Sequence, residues 1–130
     1  MLGRARHAVV MAAKDELGRA GERRAAEHLS AVGYTVVDRN WRNAQGEIDI
    51  VALRGGDVCF VEVKTRSTPD FGHPFEAIDE RKRRRMWALA FAWAIDHPEV
   101  CSGRALRLQA IGIIGRDPAS GTLEHLADLS

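Results

Sequence analysis

The sequence predicts an α/β domain, a mixed β-sheet flanked by helices, in the order helix, three strands, helix, strand. Three patterns predict it. Apolar residues recur every three or four positions over about residues 15–32. A Gly55-Gly56 pair separates two runs in which apolar residues alternate. A second helix-length run, about 78–96, is stopped near Pro98 and followed by another apolar run at 106–114. No linker divides these elements, and 130 residues suffice for one domain with one real core.

Residues 1–14 read as a flexible N-terminal arm, and 15–130 as a single domain. In the first helix Glu22, Ala25, Ala26, Leu29 and Val32 share a stripe, and Gly33 is a natural stop. "YTVVDRNWR" supplies a first strand over about 34–41. The hairpin follows at about 47–53 and 58–65. Residues 67–77, with Pro69, Gly72 and Pro74, read as a loop. The second helix is apolar nearly all round from 86 to 95, including Trp87, Phe91 and Trp93. Such a helix is usually buried all round. One face can cover the sheet; the other is expected to pack on the first helix or, alternatively, on a second subunit as a homodimer. The run at 106–114 is a final strand, and 122–126 a short strand or a turn.

Composition excludes several classes. At 45% hydrophobic residues the chain is globular rather than disordered. Net charge is +1, so distribution carries the information, above all the block Arg81-Lys82-Arg83-Arg84-Arg85. The two cysteines, Cys59 and Cys101, lack metal-ligand spacing, and two reduced thiols in a cytoplasmic protein are expected. The N-terminus lacks a convincing cleavage site for a signal peptide. The longest apolar run, 86–95, is half the ~20 residues a membrane span needs.

The hairpin carries more charge than a hairpin needs. A two-residue Gly55-Gly56 turn opposes residues whose numbers sum to 111: Leu53 with Val58, Val51 with Phe60, Asp49 with Glu62, Glu47 with Lys64. Alternation then places all eight on one face. Two carboxylates about 5 Å apart repel unless one is protonated, solvent screens them, or a cation binds. Oxygen ligands of this kind suit a divalent metal. Lys64 can reach a group bound there, and Glu47 can hold its ammonium or form an ordinary ion pair. Glu22 shares the core-facing stripe of the first helix and can approach the pair from above, unless it sits at the stripe's edge and reaches water.

These residues resemble a known pattern. "GEIDIVA" (46–52) followed by "FVEVKTR" (60–66) resembles the active-site signature of the PD-(D/E)XK nuclease superfamily, with Ile48 where the name has proline. "GERRAAEHL" (21–29) resembles the helix carrying that superfamily's additional Glu. The spacing from Asp49 to Glu62 is like that of archaeal Holliday junction resolvases. The run from Gly21 through "FGHPFEAIDERKRRRM" (71–86) is similar to the small bacterial YraN family. The resemblance implies a restriction-endonuclease-like αβββαβ core and an Mg²⁺- or Mn²⁺-dependent endonuclease that hydrolyses phosphodiester bonds in DNA, including branched or flapped DNA. It implies Asp49, Glu62, Glu22 and the Val63 carbonyl as metal ligands, and Lys64 as the group that orients the attacking water and stabilises charge on the phosphate.

Nucleic acid is bound mainly by neutralising phosphates. Arg39, Arg42, Arg66 and the block Arg81, Lys82, Arg83, Arg84, Arg85 are expected to do so. Five positive charges at a helix start oppose its dipole, which hints at an external use, although a solvated helix turn is the plainer reading. Two other functions remain open: a catalytically inactive nucleic-acid-binding module of the same fold, and a protein-interaction subunit using the apolar second helix.

Overall fold

The computed structural model describes residues 2–129, with side chains described for residues 15–129 except Phe71. Helix α1 (Leu2–Ala31) is followed by β1 (Thr35–Asn43), β2 (Gly46–Arg54) and β3 (Asp57–Arg66). Two 3-10 turns, Pro69–Phe71 and Pro74–Ala77, lead into α2 (Glu80–Asp96) and the short α3 (Pro98–Cys101). Then β4 (Ala105–Ile114) and β5 (Thr122–Leu126) close the domain. Helix α1 begins well ahead of the start expected near residue 15; the expected flexible arm, 1–14, has its side chains outside the described residues. The segment 122–126 is a strand rather than a turn.

The five strands form one mixed sheet in the order β1-β2-β3-β4-β5. Strands β3 and β4 run parallel, joined by the α2 crossover, and every other pair is antiparallel. The expected hairpin register is present at the turn end: Leu53 faces Val58, Val51 faces Phe60 and Ile50 faces Val61. This is a mixed α/β fold compatible with a restriction-endonuclease-like core. No helix among the described residues is long and apolar enough to cross a membrane.

The two main helices cover opposite faces of the sheet. Ala25 and Leu29 of α1 pack with Ile50, Ala52, Cys59, Val61, Ile111 and Ile113. Met86, Leu89, Ala90 and Trp93 of α2 pack with Val51, Val58, Phe60 and Leu108 on the other side. The expected packing of α2 against α1 is therefore absent. The outer face of α2 is open instead: Phe91 is 54% and Ile95 78% exposed, and Trp87 stacks on Phe91. A sheet stands between the helices, so neither can shield the other's outer face.

Each helix seats for a local reason. Helix α1 meets the sheet through small residues, and a Cβ on Gly21 would overlap Thr65 Oγ1 of β3. Glycine there lets the helix lie close to the strand that carries Glu62 and Lys64. Helix α2 starts at Asp79, whose carboxylate accepts from the Lys82 amide at 2.8 Å. Glu80 in the first turn pairs with Arg84. These two acids offset the unfavourable basic block at the helix's positive end.

Candidate metal centre at a fork in the sheet

The site is made by a fork. Strand β1 stays paired with β2 to its end, Asn43 facing Gly46. Strand β3 stays paired with β4 to its end, Arg66 facing Ile114. Between them, the β2–β3 ladder stops at Ile50 and Val61. The expected opposition of Asp49 to Glu62 and of Glu47 to Lys64 is therefore corrected, because the strands part before reaching it. In a continued register Val63 would stand opposite Ile48; instead its amide donates to Asp49 Oδ2 at 2.8 Å. The carboxylate supplies the acceptor that the departing strand withdraws.

Two irregularities in β1 carry β2 away. The register shifts between Val36 and Asp38, a bulge that bends and twists the strand. Asn40, which the β1–β2 register sets opposite Asp49, has φ of 55°, a left-handed conformation rare for a non-glycine residue. The face of β2 switches as a result. Ile50 belongs to the α1-side core and Ile48 to the α2-side core, although strict alternation would give both the same face. Asp49 sits at the switch. A cavity of about 10 Å³, the size of one water, lies in the crotch between Glu47–Asp49 and Phe60–Glu62.

The expected one-faced cluster is consequently split in two. Carboxylate oxygens of Glu22, Glu47 and Asp49 lie within 4.8 Å of one another. Glu62 continues the face of Phe60, toward α2, and is 7% exposed. Its Oε1 receives Lys64 Nζ at 3.4 Å and Lys82 Nζ at 3.2 Å. Glu47, expected near Lys64, pairs with Arg42 at 3.0 Å across β1–β2. Of the three clustered acids, Glu47 is the member that the hairpin register had assigned to Lys64. Its place one step from the Gly46 end of a β1–β2 pairing is the signal that would have found it.

Like charges under partial burial dominate the acidic half. Burial first, then the charge of Glu62, with smaller contributions from Glu22 and Glu47, pushes Asp49 up to about 8 against the opposing Val63 hydrogen bond. Glu22 is also raised, chiefly by burial and then by Glu47 and Glu62, while a hydrogen bond from Asn40 and the charge of Arg39 oppose this. Glu22 is thus half-buried at the edge of its stripe: it borders open grooves and leans on Asn40. Three hard oxygen donors that repel one another at this range fit Mg²⁺ or Mn²⁺, whose charge would relieve the repulsion.

Two open grooves meet at Gly18 and Glu22 of α1. One, about 590 Å³, is lined by Leu17, Val63, Lys64, Thr65, Arg66 and Ser67. The other, about 460 Å³, is lined by Asp15, Arg19, Asn40, Arg42 and Glu47. Arg66, Arg42 and Lys64 thus border grooves that lead to the acids, and Arg39 acts on Glu22 electrostatically. Arg19, which the sequence reading left out, joins them. The basic block divides. Arg81, Arg84 and Arg85 are exposed on α2, Arg83 donates to the Leu129 carbonyl, and Lys82 turns inward to Glu62. Cys59 and Cys101 are free thiols, with burial pushing Cys59 up to about 11.

Fold and site together define a mixed α/β domain whose sheet opens onto an acidic cluster flanked by lysines. Residues 21–113 match the family described as "Uncharacterised protein family UPF0102", and the chain belongs to that family, the YraN-like group the sequence resembles. A UPF0102 protein of Paenarthrobacter aurescens is 46% identical over 118 residues, covering 91% of this chain and 96% of the relative. One from Leifsonia xyli subsp. xyli is 47% identical over 116 residues, 89% of this chain and 97% of its own length. One from Frankia alni is 43% identical over 119 residues, 91% and 97% respectively. The matched span contains Glu22, Glu47, Asp49, Glu62, Lys64 and Lys82.

Proposed function

We propose that the fork is the centre of a divalent-cation-dependent endonuclease of the PD-(D/E)XK type, acting on phosphodiester bonds in DNA. One observation carries this reading: three mutually repelling carboxylates, Glu22, Glu47 and Asp49, converge beside a groove that Lys64 borders. A bound Mg²⁺ or Mn²⁺ would activate water and polarise the phosphate there. Asp49, Glu22 and Glu47 hold the cation, with Glu62 as the neighbouring acid that the family resemblance names. The Val63 carbonyl is a further ligand on that resemblance, and its amide already fixes Asp49. Lys64 stabilises charge developing on the scissile phosphate.

Arg42, Arg66 and Arg39 neutralise flanking phosphates, and the exposed guanidinium groups of Arg81, Arg84 and Arg85 extend the cationic surface. Two grooves meeting at Glu22 support a substrate with more than one arm, such as a flap or junction. The same proposal carries a homodimer through the exposed Phe91 and Ile95 of α2, with the half-buried Trp87 stacked on Phe91, since a symmetric junction needs two cuts. The test is a panel of duplex, single-stranded, flap and four-way DNA with Mg²⁺ or Mn²⁺. Cutting of at least one substrate that is lost in Asp49→Ala and Lys64→Ala supports the reading. Retarded migration without cutting, indifferent to Asp49→Ala, would instead assign a binding module of the same fold.

A further inference from the structure

The basic block at the start of α2 was expected to face nucleic acid, but Lys82 does not share that fate. It lies four residues before Met86 on the stripe Met86, Leu89, Ala90 and Trp93 that packs on the sheet. That stripe carries the side chain inward, where its ammonium meets Glu62 Oε1 at 3.2 Å. Lys64 reaches the same oxygen at 3.4 Å. One buried carboxylate oxygen therefore serves two ammonium groups, which leaves a net positive charge around Glu62 and directly beside the acidic cluster.

The two lysines are not equivalent. Lys64 borders the 590 Å³ groove together with Glu22 and is placed to meet substrate. Lys82 lines neither groove that meets at Glu22; its side chain is 25% exposed and pairs with Glu62. A carboxylate oxygen that two ammonium groups approach is a poorer ligand for a metal than a free one, and their charges oppose a cation at either oxygen. Resting on the reading of the fork as a divalent-cation site, we propose that Lys82 is a positioning residue that competes with that cation for Glu62. It holds Glu62 against the α2 side and adds a positive charge that any incoming cation must overcome. Cation affinity is thereby set lower than the four acids alone would give, and Glu62 Oε1 joins the cation only by releasing Lys82.

The full chain, stripped of metal with EDTA and dialysed, is titrated with Mn²⁺ by calorimetry as wild type, Lys82→Met, Lys82→Gln and Lys82→Arg. Lys82→Gln keeps a hydrogen-bond donor for Glu62, so the fold does not depend on the charge alone. Expected are roughly tenfold tighter Mn²⁺ binding in Lys82→Met and Lys82→Gln, and near-wild-type binding in Lys82→Arg. Unchanged or weaker binding in both neutral variants, with or without a lower Tm, overturns the inference and leaves Lys82 as a structural anchor. A wild type that binds no Mn²⁺ overturns the reading of the fork itself, and the role of Lys82 with it.

Discussion

Asp49→Asn separates what the site costs the fold from what it gives to binding. In the folded chain the Asp49 carboxyl is pushed from 3.8 to about 8, first by burial and then by Glu62, Glu22 and Glu47. Unfolding returns it to about 3.9. Between those values the folded protein holds the extra proton, so stability falls as pH rises from about 4 to about 8. At full linkage one proton is worth about 1.4 kcal/mol per pH unit, or about 2–3 kcal/mol between pH 5 and pH 7. For a domain of this size that corresponds to roughly 10 °C in Tm.

Asparagine at position 49 keeps an oxygen that accepts from the Val63 amide and carries no charge, so it lacks this slope. His28 and His125, both lowered mainly by burial, add a slope of opposite sign, stability rising toward about pH 6.5, but they do so in both proteins. The assay is thermal unfolding by circular dichroism in EDTA at about pH 5, 6, 7 and 8. The advantage of Asp49→Asn over wild type should widen steadily with pH. Mn²⁺ at a hundredfold its Kd should then stabilise wild type by about 2.7 kcal/mol and the variant little. Parallel pH curves would refute the argument, because they would mean that Asp49 is not held in a repulsive, partly desolvated site.

Glu47→Gln should weaken Mn²⁺ affinity on the order of tenfold or more, since it replaces one of three clustered carboxylates with a neutral amide oxygen; calorimetry would expose an idle Glu47 as an unchanged isotherm. Gly21→Val should cost about 1–3 kcal/mol in chemical denaturation through its overlap with Thr65, and Thr65→Ala in the same chain should recover part of the loss. Additive losses in that double variant would show that the α1–β3 contact is not tight. Phe91→Ser combined with Ile95→Ser should convert a sedimenting dimer to monomer without loss of helix content, and an unaltered sedimentation coefficient would remove α2 as the interface.

Local patterns made most of the fold legible. Gly33, Gly55-Gly56 and Pro98 punctuated the elements, and the starts and ends of β2, β3, α2 and β4 fall within two residues of their expected positions. The register set by the Gly55-Gly56 turn holds for as long as the strands remain paired. It fails at Asp49 because a two-residue turn says nothing about where a ladder ends. The cause of that ending lies in another strand, in the bulge at Val37 and the left-handed Asn40, which pattern reading of β1 does not reveal.

The same failure moved Glu47 from Lys64 to Arg42 and turned Glu62 toward α2. Lys82 was read as part of a charge run, yet its spacing from Met86 already put it on the buried stripe. Burial of α2 on all sides was overread as well. Counting apolar residues around a helix cannot tell that the sheet separates α2 from α1.

The central claim is that Asp49 and its neighbours form a divalent-cation-dependent phosphodiesterase site. The most direct measurement is cleavage of an end-labelled flap or junction DNA by wild type and Asp49→Asn, with Mn²⁺, with EDTA, and with Mn²⁺ restored. The account predicts cutting by wild type in Mn²⁺, none in EDTA, recovery on restoration, and a loss of at least about 100-fold in Asp49→Asn, about 2.7 kcal/mol of transition-state stabilisation. Cleavage that persists in EDTA, or that Asp49→Asn leaves undiminished, would contradict it.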